Sequence, residues 1–358
     1  MQTAEKYTVD GLFFAQRLSG IQRYSIELLA ELDGILSPGE LEIAVPAGTK
    51  TPAYRNLKVV QVGTRQGMAW EQLDFPRYLR TSGRRWLCMC NVIPLGPGTG
   101  RGIAVVHDVC YRARPDFYTD LRGRLSAAWH RLQYRAIVRR AQTIVTVSRF
   151  SKSELVKYYG ADPSRIAVVP NAWQHMQRVP AEEGVFAPPP KWPQLKPGEY
   201  YFSMANLLKN KNFPWVLRAA QANPDRIFAI AGSGSLAAEA GRLGLDRLDN
   251  VVYLGYVTDG EAKALMEHCR AFLFPTLYEG FGIPPLEAIA CGAPQVLVSD
   301  TPCMREVYGS HAGYIDLEHN QGDLDAVTPG HNPAGVLARY SWAESAQRLA
   351  QVLRGKLP

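Results

Sequence analysis

The chain has 358 residues, of which 46% are hydrophobic and 20% charged. This composition excludes a disordered protein and supplies enough apolar material for two cores. No uncharged apolar run reaches about eighteen residues, and the amino terminus lacks a basic region followed by an apolar core, so we expect neither a spanning helix nor a secretory signal. Six cysteines without C-x-x-C or metal-site spacing predict free thiols in a reducing, cytoplasmic compartment.

The formal net charge is +7, and much of it lies between Tyr111 and Arg140. This region contains eight arginines and two aspartates, a local excess of six positive charges. The arginines are Arg112, Arg114, Arg122, Arg124, Arg131, Arg135, Arg139 and Arg140, and the aspartates are Asp116 and Asp120. Such a surface favours acidic lipid headgroups, a phosphorylated substrate or nucleic acid. For any single arginine, a solvated helix face explains the charge equally well. Because no aromatic–basic RNA motif accompanies the charge, we expect no nucleic-acid partner. The positive charge instead predicts a peripheral position on the inner face of a membrane.

Apolar runs rich in β-branched residues alternate with segments of helical length along the chain. The predicted strands are Leu41–Val45, Leu57–Val62, Ile103–Val106, Thr143–Val147, Ile166–Val169, Tyr200–Met204, Ile227–Ala231, Asn250–Leu254, Ala271–Phe274 and Gln295–Val298. The predicted helices are Ile21–Leu32, Leu121–Ala141, Phe213–Ala222, Glu261–His268 and Pro285–Ala290. Continuous apolar strands between helices predict α/β architecture with parallel sheets covered on both faces.

The segment Val179–Pro197 contains six prolines, which remove backbone donors and oppose regular structure. We therefore predict a linker over 179–197 between an amino-terminal domain, 1–178, and a carboxyl-terminal domain, 198–340. Ser151-x-x-Glu154 and Ser341-x-x-Glu344 have the pattern of capping boxes at helix starts. The second begins a terminal helix, 341–358, which we expect to return to the first domain.

The stretch Glu279-Gly-Phe-Gly-Ile-Pro-Pro-Leu-Glu287 follows an apolar strand and leads into a helical segment. Gly280 and Gly282 allow the backbone to turn and to approach a ligand closely. A helix start presents unpaired N–H groups to an anion, and carboxylates accept hydrogen bonds from sugar hydroxyls. The chemistry indicated is a diphosphate at a helix start with two carboxylates nearby.

This segment resembles the E-x7-E signature of the retaining glycosyltransferases of family 4, which have the GT-B fold of two Rossmann-like domains facing across a cleft. The resemblance extends from about Tyr7 to the helix at Ser341–Arg354. It implies that Glu287 binds the donor ribose and that Glu279 holds the transferred sugar. Backbone groups of Gly280, Phe281, Gly282 and Ile283 are implied to contact the sugar or the diphosphate.

The loop Ser203–Asn212 resembles the family loop in which an arginine and, five residues on, a lysine hold the donor diphosphate. Lys211 matches the lysine, where it is implied to stabilise the leaving group. Asn206 stands where many members have arginine, and Lys209 is a candidate replacement for that charge. A solvated lysine is the ordinary interpretation of either side chain alone.

Two further segments resemble the nucleotide-binding parts of the family. The turn containing Gly232 follows a predicted strand in Ile230-Ala-Gly-Ser-Gly234, and Tyr256 and Val257 fall in the segment whose backbone meets the base. An NAD-binding fingerprint ends in a glycine where this chain has Ala237. That last position sometimes accepts alanine, so the NAD-binding interpretation is not excluded. An ordinary strand end explains Tyr256 and Val257 equally well.

The amino-terminal half carries looser similarities. Ser19, Gly20 and Arg23 lie in a glycine loop that resembles the family loop facing the donor phosphates and the acceptor. His107 and Asp108 end a predicted strand, where open parallel sheets bind ligands, and His107 matches a frequent family histidine near the donor sugar. The segments Trp70–Gln72 and Leu87–Pro94 line either an acceptor pocket or the core.

The resemblance implies retaining transfer of a hexose or deoxyhexose, such as mannose or rhamnose, from a nucleoside-diphosphate sugar to a hydroxyl of a lipid-linked polysaccharide or oligosaccharide. It implies Glu279, His107 and Lys211 as catalytic residues, with no metal and no cofactor. Asp323-Leu-Asp325 is interpreted as a solvated loop. Two alternatives remain open: an NAD-dependent Rossmann oxidoreductase or epimerase, and a non-catalytic protein that binds sugar nucleotides.

Overall fold

The structure is a computed structural model that describes residues 5–204, 206, 208–245, 247–318 and 322–357. It divides into two compact units. Unit 1 comprises the described residues up to Asn171 together with those from Trp342 onward, and unit 2 comprises Ala172–Ser341.

Unit 1 is built on a seven-stranded parallel sheet in the order β3-β2-β1-β4-β5-β6-β7. Its strands are β1 (Tyr7–Asp10), β2 (Leu41–Val45), β3 (Lys58–Gln61), β4 (Arg85–Cys88), β5 (Ile103–Val106), β6 (Thr143–Thr146) and β7 (Ile166–Val168). Its helices are α1 (Gly20–Ile35), α2 (Gly67–Ala69), α3 (Phe75–Ser82), α4 (Cys110–Ala113), α5 (Leu121–Arg140), α6 (Arg149–Tyr159) and α13 (Trp342–Leu353). A π-helical turn, Trp70–Asp74, joins α2 to α3, and short 3-10 turns lie at Leu12–Ala15, Pro115–Phe117 and Pro163–Arg165.

Unit 2 is built on a six-stranded parallel sheet in the order β10-β9-β8-β11-β12-β13. Its strands are β8 (Tyr200–Met204), β9 (Ile227–Ala231), β10 (Val251–Gly255), β11 (Ala271–Phe274), β12 (Val296–Ser299) and β13 (Gly313–Ile315). Its helices are α7 (His175–Arg178), α8 (Phe213–Ala222), α9 (Leu236–Arg242), α10 (Asp259–His268), α11 (Ile283–Ala290) and α12 (Pro302–Tyr308). Short 3-10 turns lie at Glu183–Val185, Lys209–Lys211 and Pro333–Arg339.

Both sheets have the doubly wound strand order, in which the chain first adds strands on one side and then on the other. The reversal falls between β1 and β4 in unit 1 and between β8 and β11 in unit 2. At such a reversal the loops from the two neighbouring strands diverge and leave a crevice outside their carboxyl ends. Two Rossmann-like α/β units are therefore confirmed, and each has one strand-order reversal where a ligand can bind.

The division of the chain differs from the predicted linker. Unit 2 begins at Ala172, so the proline-rich segment 179–197 lies inside it instead of joining two domains. Val185 and Leu195 from this segment are buried, and Lys191 pairs with Glu261 of α10. Prolines oppose helices and central strands but not packing, because their rings and the side chains between them still bury apolar surface. The last helix, α13, packs along α1 in unit 1.

One local prediction was wrong, and a second was incomplete. Ser148, not Ser151, caps α6: its side chain accepts the Ser151 N–H at 2.9 Å, and Ser151 is buried inside the helix. Asp323 and Asp325 lie in an exposed loop, as predicted, but Asp325 also accepts two hydrogen bonds from Arg270, each 2.7 Å long, and one from Arg226. These cations hold the pKa of Asp325 down, to about 2. Asp325 of the D-x-D sequence therefore belongs to a structural ion-pair cluster with Arg226 and Arg270.

Candidate functional site

The predicted donor-binding residues of unit 2 follow the carboxyl ends of four neighbouring strands. They are Asn206 and Lys211 after β8, Gly232 after β9, Tyr256 and Val257 after β10, and Glu279–Ile283 after β11. Because all these strands are parallel, the loops that follow them lie along one edge of the sheet. The β8 and β11 loops flank the strand-order reversal, which is the most favourable position for a ligand in this fold.

At this reversal the structure brings Lys211 and Glu279 together. The Lys211 Nζ atom lies 2.6 Å from the Glu279 Oε1 atom, and the two side chains are 22% and 14% exposed. The Asn210 amide lies 3.4 Å from the same carboxylate oxygen. An ammonium group has three donors, of which Glu279 occupies one, so Lys211 can bind an anionic oxygen while still orienting the carboxylate.

Backbone contacts between the two loops fix this pair. The Leu277 N–H donates to the Asn210 carbonyl at 2.7 Å, and the Asn212 side-chain amide donates to the Pro275 carbonyl at 3.0 Å. Asn212 has a φ of 52°, a left-handed conformation that asparagine tolerates better than most residues. The loops after β8 and β11 are therefore one hydrogen-bonded structure, and the Lys211–Glu279 contact is built into it.

The start of α11 offers fewer donors than the sequence predicts. Pro284 and Pro285 have no N–H, and the Leu286 N–H donates to the buried Tyr308 hydroxyl, which in turn donates to the Gly282 carbonyl. Gly282 has a φ of +83°, and a Cβ atom there would lie 2.7 Å from the Met304 side chain. Only glycine fits this position, and Tyr308 holds the turn.

Three backbone N–H groups remain available at this turn. Within the described part of the chain, the amides of Phe281, Gly282 and Ile283 donate to no acceptor. The Phe281 side chain is buried and packs edge-on against Tyr340 with ring centroids 5.0 Å apart, so Phe281 can meet a ligand only through its backbone. This run of amides is where the turn presents unpaired donors of the kind that bind anions at helix starts.

Glu287 has a partner that sequence reasoning missed. The His175 Nε2 atom lies 2.8 Å from the Glu287 Oε1 atom, and His175 is 1% exposed while Glu287 is 16% exposed. His175 opens α7, more than a hundred residues earlier in the chain, and its position after Asn171-Ala-Trp-Gln carried no motif signal. The histidine orients the carboxylate that the family resemblance assigns to ribose.

The remaining donor candidates lie around this centre. Asn206 accepts the Leu208 N–H at 3.0 Å through its side-chain oxygen, so it stabilises its own turn. The Gly232 N–H donates to the Gly255 carbonyl at 2.8 Å, which ties the β9 loop to the end of β10. Tyr256 is 62% exposed and Val257 is buried, so only the tyrosine side chain is open to a ligand.

In unit 1, His107 lies at the carboxyl end of β5 and is buried. Its Nε2 atom lies 2.9 Å from the Met89 carbonyl, and its ring packs edge-on against Tyr24 with centroids 4.9 Å apart. A carbonyl only accepts hydrogen bonds, so Nε2 carries the proton and Nδ1 is the acceptor. Burial lowers the pKa of His107 from 6.5 to about 4, and the imidazole is therefore neutral at physiological pH.

The other unit 1 candidates have mainly local partners. Ser19 is the residue before α1 and is exposed, as is Gly20, while Arg23 donates its backbone N–H to the Ser19 carbonyl at 2.8 Å. Asp108 accepts the Cys110 N–H at 2.8 Å at the start of α4. The loop that contains Ser19 and Gly20 is exposed at the strand-end edge of the sheet. Among the described residues, no contact joins Ser19 to His107.

A buried carboxyl pair also lies at the strand-order reversal of unit 1. Asp10 ends β1, and its side chain is hydrogen-bonded to Glu71 of the π-helical turn. Burial raises the pKa of both carboxyls, and the charge of Asp10 raises that of Glu71 further. Sequence reasoning named Glu71 only within the segment Trp70–Gln72 and did not pair it with Asp10.

The neighbours of Glu71 are structural. Trp70 is fully buried and donates its indole N–H to the Val62 carbonyl. Gln72 joins the loop after β4, donating to the Ile93 carbonyl at 3.1 Å and accepting the Leu95 N–H at 3.0 Å. Core packing therefore explains most of Trp70–Gln72 and the end of Leu87–Pro94. As for metals, no group of three or more potential ligands occurs among the residues that the structure describes.

The fold and the strand-end sites define a class of two-unit α/β proteins with a nucleotide-binding type of sheet in each unit. The structure matches a sucrose-phosphate synthase from Thermosynechococcus elongatus with a TM-score of 0.72 over 98% of both chains, at 14% sequence identity. At that identity the likeness concerns the fold, and the fold is the one called GT-B.

Family models specify the class further. Residues 19–173 match the model of "Glycosyltransferase Family 4", and residues 189–326 match that of "Glycosyl transferases group 1". The matches fall on unit 1 and unit 2 respectively and together cover most of the chain. The chain belongs to the family 4 glycosyltransferases, as the E-x7-E segment predicted.

Two curated relatives are similar over much of the chain. An O-antigen chain mannosyltransferase, RfbU, from Salmonella typhimurium is 28% identical over 66% of this chain. An O-antigen chain mannosyltransferase B from Escherichia coli is 29% identical over 70% of this chain. The alignments span 62% and 65% of those relatives' own lengths.

Proposed function

We propose that this chain transfers a hexosyl group, with mannose as the first candidate, from a nucleoside-diphosphate sugar to a saccharide hydroxyl during assembly of a surface polysaccharide. Family membership and the names of the two O-antigen relatives support the reaction class and the sugar. The observation that carries the proposal is the Lys211–Glu279 contact beside the open amides of Phe281–Ile283. It combines a cation, a carboxylate and backbone donors at a strand-order reversal.

The donor is assigned to unit 2. The ribose would bind Glu287, which His175 holds in place, and the diphosphate would bind Lys211 and the amides of Phe281–Ile283. As the bond between the sugar and the diphosphate breaks, negative charge develops on the leaving phosphate, and preorganised donors stabilise that charge. Glu279 would accept hydrogen bonds from the hydroxyls of the transferred sugar. The pair therefore links sugar orientation to leaving-group stabilisation.

We further propose retention of the anomeric configuration and independence from metal. Glu279 and Glu287 do not form a glycosidase pair, because His175 binds one of them on the side assigned to ribose. The leaving phosphate would take the proton of the acceptor hydroxyl on the face from which it departs. Positive charge comes from Lys211 and the turn amides, which together supply what a metal ion supplies elsewhere.

The acceptor is assigned to unit 1, where Ser19, Arg23 and Asp108 are the polar candidates at the strand-end edge. A lipid-linked saccharide is the proposed acceptor. Neutral His107 would accept a hydrogen bond at Nδ1 from a sugar hydroxyl. Its role is to orient the sugar, since a histidine with a pKa of about 4 is a poor proton donor at neutral pH.

The donor is tested first by a thermal-shift screen with UDP, GDP, dTDP, ADP, NAD and their sugar conjugates, because a ligand that binds the folded state raises the melting temperature. A GDP or GDP-mannose shift is the expected result. A shift with NAD alone would instead support the oxidoreductase alternative. Binding of a sugar nucleotide with neither hydrolysis nor transfer, under conditions where acceptor is present, would support a non-catalytic binding protein.

The residue assignments are tested by matched substitutions. Lys211→Ala should lower the transfer rate about 100-fold or more, while the exposed Lys196→Ala, also in unit 2, should leave it unchanged. Glu287→Ala should weaken nucleotide binding in calorimetry, with exposed Glu199→Ala as the control. Normal transfer by Lys211→Ala, or normal affinity in Glu287→Ala, would remove that residue from its role. Full activity after treatment with a chelator is expected, and its loss would contradict metal independence.

A further inference from the structure

Helix α5 of unit 1 has an unusual charge composition. Its twenty residues, Leu121–Arg140, include six arginines and no carboxylate. A solvated helix face normally interleaves both signs, because oppositely charged residues one turn apart stabilise each other. The two carboxylates nearby are already engaged: Asp116 pairs with Arg114 at 2.7 Å, and Asp120 caps α5 by accepting the Gly123 N–H.

The same helix exposes large apolar side chains. Leu121, Leu125 and Leu132 are 74%, 64% and 50% exposed. With exposed Ala128 they follow the spacing i, i+4, i+7 and i+11, which places them on one face of a helix. The opposite face, with Tyr134 and Ile137, is buried in the core of unit 1. The leucine stripe, Leu121–Leu125–Leu132, is thus a second apolar face, which is exposed and lies on the side of α5 away from the core of unit 1.

Arginines border this stripe. Arg124 and Arg131 lie along one flank, Arg122 lies on the other side, and Arg135 and Arg139 continue the stripe over the last two turns. In the part of the chain that the structure describes, Arg122, Arg124, Arg135 and Arg139 form no ion pair with a carboxylate. An apolar stripe bordered by unpaired cations matches the boundary between phosphates and acyl chains in a bilayer.

A cavity of about 380 Å³ opens along the arginine flank. Among the residues that the structure describes, it is lined by Tyr118, Arg124 and Arg131 with Pro115 and Ala127, and none of these carries a carboxylate. Arg131 keeps its geometry by donating to the Tyr111 carbonyl at 2.7 Å. Two guanidinium groups without a competing anion suit a phosphate, and the position beside the leucine stripe places that phosphate at headgroup level.

We propose that α5 is an in-plane membrane-binding helix, whose leucine stripe enters the outer acyl region of an anionic bilayer while its arginines bind lipid phosphates. In the described chain, no helix is long and apolar enough to cross a membrane, so this contact lies at the surface. Nucleic acid would satisfy the arginines but leave the leucines exposed, which is why the bilayer is the better fit. The proposal does not depend on the transfer reaction.

Co-sedimentation of the full chain with vesicles tests it. Binding is expected with phosphatidylcholine vesicles that contain phosphatidylglycerol, and not with phosphatidylcholine alone. Each arginine near an anionic surface contributes about a fivefold factor to partitioning. Replacing Arg122, Arg124, Arg135 and Arg139 with Gln should therefore lower the partition coefficient by roughly 100-fold or more.

Matched controls separate the stripe from net charge. The exposed arginines Arg55, Arg77, Arg101 and Arg218, replaced together with Gln, remove the same charge and should change binding much less. The triple variant L121S/L125S/L132S should lose binding at least about tenfold, whereas M68S/L243S/L357S, at other exposed positions, should not.

Three outcomes would overturn the proposal: equal loss in the two arginine variants, unchanged binding in the leucine variant, or binding to a single-stranded oligonucleotide but not to vesicles. Melting temperature and donor binding, measured without lipid on the same proteins, should match the parent chain. Those two measurements show whether a variant has lost its fold. They also separate failure of membrane binding from failure of the proposed transfer.

Discussion

The buried histidine at the end of β5 makes the stability of unit 1 depend on pH. Burial lowers the pKa of His107 from 6.5 to about 4, and the hydrogen bond to Met89 opposes this effect only in part. Since the folded state binds the proton more weakly than the unfolded state does, the contribution is fully present above pH 6.5. It is lost as the pH falls toward 4.

The magnitude follows from the two pKa values. A tenfold difference in proton affinity corresponds to about 1.4 kcal/mol, so between neutral pH and about pH 4.5 the folded state should lose about 2.5 kcal/mol through His107 alone. His107→Asn removes this term. The free energy of unfolding in urea should therefore fall less steeply with pH in the variant than in the parent chain, because all other titrating groups are common to both proteins.

A control and a direct measurement accompany this comparison. The same substitution at the exposed His331 is the matched control for the loss of one imidazole. The NMR titration of the His107 ring should show no transition near pH 6.5. Parallel pH curves for the parent and His107→Asn would refute the reasoning, as would a ring that titrates like a solvated histidine, and His107 could then act as an acid at neutral pH.

Three further predictions concern groups that bind no ligand directly. His175→Ala should weaken nucleotide binding about 10- to 100-fold in calorimetry, because Glu287 loses a hydrogen bond at 2.8 Å; unchanged affinity would make the contact incidental. Glu71→Gln should reduce the loss of unfolding free energy that the raised pKa values of Asp10 and Glu71 predict as the pH rises from about 4.5 to about 9, because the folded state then holds protons that the unfolded state has released; an unchanged slope would contradict the raised pKa of Glu71. Asp325→Asn should lower the melting temperature through a loss of about 1 kcal/mol without changing donor affinity, and a change in affinity would place it in the site.

Ten strands were predictable because strands in a covered parallel sheet are apolar on both faces and appear as continuous apolar runs. The strands β1, β4 and β13 were not predicted. In β1, Tyr7–Asp10, every residue is buried although two are polar, since Thr8 donates to Glu42 at 2.8 Å and Asp10 is hydrogen-bonded to Glu71. Polar residues satisfied inside the sheet remove the apolar signal, and the pattern therefore failed at the centre of unit 1.

Sequence spacing identified both members of the Lys211–Glu279 pair but only one member of the His175–Glu287 pair. Glu279 and Glu287 were found because a strand, a glycine turn and a helix follow one another within a short segment, and Lys211 because its loop has the same local order. His175 has no such local context, and nothing in its sequence neighbourhood predicts a contact with a carboxylate on α11. Interactions between distant segments depend on how unit 2 folds, so the second member of the His175–Glu287 pair required the structure.

The structure also narrows how unit 2 can hold a diphosphate. An arginine at position 206 would have supplied a second cation, but Asn206 there accepts the Leu208 N–H and gives no charge. The prolines and Tyr308 remove further donors from the start of α11. Lys209 is exposed in the same 3-10 turn as Lys211, where the charge is screened by solvent and worth less than a buried one. In the proposed reaction, the partly buried ammonium of Lys211 would therefore carry most of the positive charge available to the leaving group, and its bond to Glu279 would make that charge depend on the same carboxylate that would orient the sugar.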